Sequence, residues 1–150
     1  MAERQSTGLC NGLLLTGSLA ALFSAMEVRI FAGTPPATAD ADCTANTLLC
    51  TVKNYNGGSP IAATFDTVVA APGVLAKKPS ETWSGVNGNT GTATFYRLVN
   101  HTDDNTLSTT FVRVQGLIGV GGADMNVASV AFVSGATFPI NAFTQSFVPG

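Results

Sequence analysis

From Glu27 onward the chain reads as short runs of β-forming residues separated by turn clusters. Val28 and Ile30 alternate with Arg29 and Phe31 until Gly33-Thr34-Pro35-Pro36, where the prolines cannot donate to a ladder and the run stops. A small polar loop at 37–46 leads to a second strand, Thr47 to Lys53, and to the turn cluster Asn54 to Pro60. Thr64 to Ala70 and Val74 to Lys77 read as strands on either side of Ala71-Pro72-Gly73, with a further short one at Thr82-Trp83-Ser84. After the turn Asn87 to Gly91, Thr92 to Val99 alternates cleanly: Ala93, Phe95, Arg97 and Val99 lie on one face, Thr94, Tyr96 and Leu98 on the other. Thr109 to Gln115, Met125 to Val133 and Phe138 to Phe147 complete about eight strands. Turns recurring about every ten residues predict a mainly β fold, an antiparallel β-sandwich or jelly-roll-like body.

The first 26 residues follow a different period. Leu9, Leu13, Ala20 and Phe23 share one face at helical spacing and Ser6 or Thr7 can cap, which predicts a short N-terminal helix or pair of helical turns. Gly8, Gly12 and Gly17 weaken it by about 1 kcal/mol each relative to alanine, so packing must hold it. A cleaved leader is the competing reading of Leu13-Leu14-Leu15 and Leu19 to Phe23. Glu3 cancels Arg4, however, and Thr16-Gly17-Ser18 interrupts the apolar run. That run is also too short to span a bilayer. No fixed-period repeat or linker is visible, and 1–150 reads as a single domain.

Composition narrows the function. Charged residues make up 11% of the 150, against about 25% in an average soluble domain, and hydrophobic residues 45%. That excludes disorder. A net charge of -2 leaves no excess of Lys and Arg for a phosphate backbone, so no direct nucleic-acid partner is expected. One His and few acids offer little for proton transfer, and the expectation is a protein that is not an enzyme and uses no cofactor or metal. A neutral surface rich in Thr, Asn, Ser, Gly and Ala costs little to desolvate against a neighbouring protein.

Individual candidates weaken on inspection. Cys10, Cys43 and Cys50 are an odd number, and the Cys43–Cys50 spacing is too wide for a Cys-x-x-Cys motif, so buried thiols are expected. His101 beside Asp103 and Asp104 could serve a metal or a base, but Asp, Asn and Thr in such a loop ordinarily satisfy backbone groups, and a solvated loop is expected. Gly116, Gly119, Gly121 and Gly122 lack the spacing of a phosphate loop and read as a connection between strands. Trp83 is either a sugar-stacking platform, together with Tyr96, or a core residue with its N–H satisfied.

A pattern runs through Ser6-Thr7-Gly8-Leu9, Gly17-Ser18-Leu19, the segment from Glu27-Val28-Arg29 through Gly33-Thr34-Pro35-Pro36 to Asp40, and Leu48-Leu49. It continues more loosely through Lys78-Pro79, Thr82-Trp83, Gly91 to Leu98 and Asp124-Met125-Asn126. This pattern resembles a group of small virion-associated proteins of tailed, short-tailed bacteriophages. The resemblance implies a capsid cement or decoration protein made in the host bacterial cytoplasm and carried on the outer capsid surface. Its partners would be the major capsid protein and further copies of itself, as a homodimer or homotrimer, with no membrane involved. The alternatives are a neck, tail or baseplate component, or a host-surface glycan-binding module. Apolar content at the termini and the proline-stiffened loop nominate Leu13, Leu14, Leu19, Phe23, Pro35, Pro36, Phe138, Phe143 and Phe147 as assembly contacts.

Overall fold

The computed structural model describes residues 3–55, 59–66 and 68–146. After a two-residue strand β1 (Arg4–Gln5), the Ser6 hydroxyl accepts from Leu9 N at 3.0 Å and starts helix α1 (Thr7–Leu15). The helix ends at Thr16, and Ser18 caps a second short helix, α2 (Leu19–Leu22), in the same way. The interruption at Thr16-Gly17-Ser18 thus divides the helical segment in two. Leu9 and Phe23 are fully buried, while Leu13 and Ala20 pack against the same core.

The remaining strands are β2 (Met26–Ala32), β3 (Thr47–Asn54), β4 (Val74–Ala76), β5 (Trp83–Val86), β6 (Gly91–Thr92), β7 (Phe95–Asn100), β8 (Arg113–Gly119), β9 (Met125–Asn126), β10 (Ala131–Phe132), β11 (Thr137–Ile140) and β12 (Thr144–Ser146). An eight-stranded sheet runs in the order β1-β8-β7-β2-β3-β5-β11, with β9 joined to β8, and two small sheets pair β6 with β10 and β4 with β12. All pairings are antiparallel except β8–β9. The fold is mainly β with a short N-terminal helix, as the periodicity predicts. Pro139 lies within the end strand β11, opposite Ser84. Among the described residues no helix is long and apolar enough to cross a membrane.

Both faces of the large sheet are covered. On one, Val28, Ile30, Val52, Leu98 and Val114 meet Leu9, Phe23 and an aromatic group. Phe65 stands at 6.3 Å from Phe23 and 6.2 Å from Trp83, and Phe143 bridges Trp83 and Tyr96 at 5.9 and 6.0 Å. On the other face Phe31 stacks on Phe95 at 5.0 Å, with Cys43 packed beside them.

The molecule also has two ends along the strand direction. The helical segment is tied to one, through Ser6 N to Arg113 O (3.0 Å), Asn100 Nδ2 to Leu22 O (2.9 Å) and His101 N to Ala25 O (2.9 Å). Residues 125–142 gather largely at the other, through Val127 N to Gly119 O, Ala93 N to Val130 O and Gly135 N to Asn87 O, each 2.8 Å.

Five boundaries differ from the sequence pattern. The run Thr92 to Val99 is not one strand: β6 ends at Thr92, β7 begins at Phe95, and Ala93 packs with Tyr96 and Leu98 instead of with Phe95. Thr64 to Ala70 is not a strand: Ala63 and Phe65 make isolated bridges, while Val68 and Val69 are exposed and pair with nothing described. Thr67 is outside the described residues. The strand expected at Thr109 to Gln115 instead starts at Arg113 and continues through Gly116 to Gly119. Gly116 permits this, because a Cβ there would lie 2.7 Å from the Tyr96 ring. Met125 to Val133 is two short strands, parted where the Ser129 hydroxyl accepts from Ala131 N. Phe138 to Phe147 turns at 141–143 so that Phe143 enters the core and β12 joins β4; Phe147 is outside the described residues.

Gly8 allows α1 to abut β8, since a Cβ there would meet the carbonyl oxygens of Thr110 and Phe111. Gly8→Ala should therefore destabilise the protein by about 1–3 kcal/mol in urea unfolding, against the helix-propensity gain of about 1 kcal/mol. Gly17→Ala, whose nearest neighbour would be Ala21 Cβ at 3.8 Å, should leave stability unchanged or raised.

Candidate assembly surface and the arginine layer behind it

The Phe31–Phe95 face of the sheet continues into charged residues that are as buried as the core. Arg29 on β2 lies directly opposite Arg97 on β7, and Arg97 opposite Gln115 on β8. In the adjoining row Glu27, Val99 and Arg113 follow one another. Arg97 and Arg113 have no exposed surface, and Glu27, Arg29 and Asp103 retain only a few per cent. A buried charge is tolerated when it is paired and hydrogen-bonded. Asp103 supplies a fork for Arg113, with Nε to Oδ2 at 2.5 Å and Nη2 to Oδ1 at 2.8 Å. Glu27 accepts from Arg29 Nε at 2.6 Å and pairs with Lys53 at 3.2 Å.

Most of the remaining donors are satisfied by two loops laid over this face; Arg97 Nη1 has no partner among the described residues. Arg97 Nη2 donates to Ala41 O (2.8 Å) and Thr38 O (3.4 Å), and Gln115 Nε2 to Pro36 O (2.8 Å). Arg113 reaches Ala39 O and Asp40 O, both at 3.3 Å, and Thr106 O at 2.8 Å. Arg29 Nη1 donates to Asn105 Oδ1 at 2.8 Å, and Cys43 N donates to Asn105 O at 3.0 Å, which joins the two loops. Asn105 adopts a left-handed conformation (φ 66°), which asparagine tolerates better than most residues. The Asp40 carboxylate then takes Thr7 N and Thr7 Oγ1 at 2.9 and 2.6 Å, so the loop also holds the start of α1.

This arrangement revises the reading of His101, Asp103 and Asp104 as one solvated loop. His101 is exposed with Nδ1 3.4 Å from Ala25 O, Asp103 is buried on Arg113, and Asp104 accepts from Thr106 N and Oγ1. The Thr106 hydrogen bonds hold the Asp104 carboxyl below its ordinary value, and those from Thr44 do the same for Asp42. Among the described residues no group of three His, Cys, Asp or Glu side chains is placed to hold a metal ion. Trp83 is buried, with Nε1 donating to Glu81 Oε2 at 2.8 Å and Lys77 Nζ 5.8 Å from its ring. Tyr96 is buried too, and burial followed by the Glu3 carboxylate at 2.9 Å pushes its hydroxyl pKa upward. Neither ring offers a face to a sugar.

The nominated assembly residues divide into three groups. Leu19, Phe23 and Phe143 are buried in the chain's own core. Leu13, Pro35, Pro36 and Phe138 are half-buried: Leu13 packs on the core, the Phe138 ring lies tilted 4.8 Å from Phe132, and the proline segment is held by Gln115. Leu14 is 81% exposed, and its neighbour Leu15, which the pattern did not single out, is 85% exposed. A groove of about 560 Å³ at the opposite end of the sheet lies between residues 125–133 and 136–142, with Phe132, Val133 and Phe138 in its walls. The sequence signal for it is that no residue from Met125 to the C-terminus carries a charge.

Comparison of the chain with known protein families, curated proteins and solved structures finds no match.

Two predictions follow from the buried layer. Asp103→Ala strands Arg113 without a counter-charge and should cost about 3–5 kcal/mol in chemical unfolding, with faster amide exchange in both covering loops; a loss below about 1 kcal/mol would show the pair to be dispensable. Burial pushes the Cys50 thiol up to about 11 and also raises Cys43, whereas Cys10, expected to be buried with them, is exposed on α1. At pH 8 a thiol reagent should therefore titrate one cysteine in the native protein and three in denaturant.

Proposed function

We propose that this protein is a structural virion protein of a tailed bacteriophage, a capsid cement protein that binds the outer surface of the capsid lattice and stabilises it. The observation that carries this reading is the placement of exposed apolar side chains, Leu14 and Leu15 at one end and Val133 with its groove at the other, on a body whose loops are fixed from beneath. Leu14 and Leu15 lie in a stretch, Gln5 to Met26, that has no charged residue, as does the segment after Asp124. Apolar surface that the chain does not bury on itself marks contact with another protein. The resemblance through Gly33 to Asp40 supports reading that partner as the major capsid protein, together with further copies of the same chain.

A cement protein ties several weak contacts into one body, and joining them raises avidity by about 10²–10⁴ over a single contact. That gain requires the contact points to keep their spacing, and the clasped loops supply this rigidity. A sugar-binding role would need an exposed aromatic platform, which Trp83 and Tyr96 do not provide.

Purified protein added to capsids that lack it should bind to saturation at hundreds of copies per particle, measured by sedimentation and quantitative gel. The decorated capsids should then survive heating that opens the bare ones. Saturation at a few to a few dozen copies would transfer the protein to the neck, tail or baseplate, and no binding at all would end the virion reading.

A further inference from the structure

We propose that copies of this chain associate head to tail, the exposed leucines at the end of α1 in one copy seating in the apolar groove of the next. This goes beyond capsid binding and specifies how the copies meet.

Three observations carry the pairing. The leucine knob and the groove are matched in chemistry: Leu14 and Leu15 lie in a stretch without charge, and no residue from Met125 to Ala142, which includes nearly all of the groove wall, is charged. An ionic or nucleic-acid occupant finds no complementary group there, whereas leucine side chains do. The groove also holds Asn87, nine-tenths buried, whose Oδ1 accepts no hydrogen bond among the described residues. The chain beyond the knob brings the hydroxyl donors of Thr16 and Ser18, which an apolar ligand lacks, while the Thr16 and Gly17 amides are held by Gly12 O.

The third observation is topological. The helical segment is tied to the sheet end at Arg113 and Asn100, and Asn87 and Val127 belong to the other end, near Gly119. Strands of seven residues separate these ends by roughly 20 Å. No described residue before Asn87 lines the groove, so Leu14 and Leu15 of the same chain lie outside it. Two different patches on opposite ends make a heterologous contact, which grows until the rotation closes a ring and otherwise continues as a filament. A twofold dimer would have to seat both knobs in both grooves at once, with knob and groove at opposite ends of each copy; the head-to-tail pairing favours a closed trimer or larger ring.

The test uses the isolated protein and two variants that alter exposed positions only. One carries Leu14→Asp and Leu15→Asp; the other carries Ala128→Asp and Ala136→Asp in the groove wall. Circular dichroism and melting curves confirm that each is folded, and Val133→Asp is the substitute groove variant should the alanine pair misfold. Sedimentation velocity of the wild type across micromolar concentrations should show a closed oligomer of three or more copies, and each variant alone should sediment as a monomer. Mixed one to one, the two variants retain one intact knob and one intact groove between them, and should form a heterodimer that grows no further. A monomeric wild type, an oligomer indifferent to both variants, or a mixture that stays monomeric would each overturn the proposal. Capsid binding by the wild type is read separately, so either result stands without the other.

Discussion

The fork between Asp103 and Arg113 is the constraint on which the rest of this structure depends. A β-sheet with three arginines on one face cannot leave them under an apolar cover, because each unmatched donor or charge in the interior costs several kcal/mol. The cover must be made of acceptors. Residues 36–41 provide them as main-chain carbonyls, with Asp103, Asn105 and Thr106 completing the set. Two segments that carry no regular structure are thereby fixed to the sheet by the same groups they satisfy. The sheet then packs on both faces, one through aromatic rings and one through charge. Arg97 is the weak point of this scheme: no described carboxylate pairs with it, its Nη1 meets no acceptor among the described residues, and burial lowers its pKa.

The division of labour between the faces explains where free surface remains. Aromatic packing around Phe65 and Phe143 consumes most of the residues that a hydropathy pattern would offer to a partner. The polar face is consumed by its own loops. Single apolar side chains such as Ile61, Val68, Val69 and Leu107 stay exposed in the loops; at the two ends of the strands lie the adjacent pair Leu14 and Leu15 closing α1 and the trough that the short strands β9 and β10 leave beside β11.

Much of the fold was legible in the sequence, because period-two alternation and turn residues are local signals. Glu27 to Phe31, Thr47 to Lys53 and Phe95 to Val99 lie within observed strands, and Ser6 and Ser18 cap the helices their spacing implies. The arginine layer was half legible: alternation set Arg97 on one face with Phe95 and Val99, an apolar setting for a charge. Its meaning was hidden because the loop that covers it is recognised through carbonyl oxygens, which every residue carries, so Gly33 to Asp40 showed only stiffness. The assembly residues were legible as apolar but not as exposed. Leu14 and Phe23 look alike in sequence, and the turn at Thr16 to Ser18, which rotates α2 against α1, decides which of them faces water.

Pro139 adds a consequence for how such a protein accumulates before it is used. An uncovered sheet edge is a template on which other chains can polymerise, a hazard for any product made in many copies at once. The end strand β11 is four residues long and has no amide hydrogen at Pro139, so its backbone is a poor template for a foreign strand. Any contact this edge makes with another chain is left to its side chains. At this end of the sheet the fold thus resists the cross-β growth that an open edge would seed.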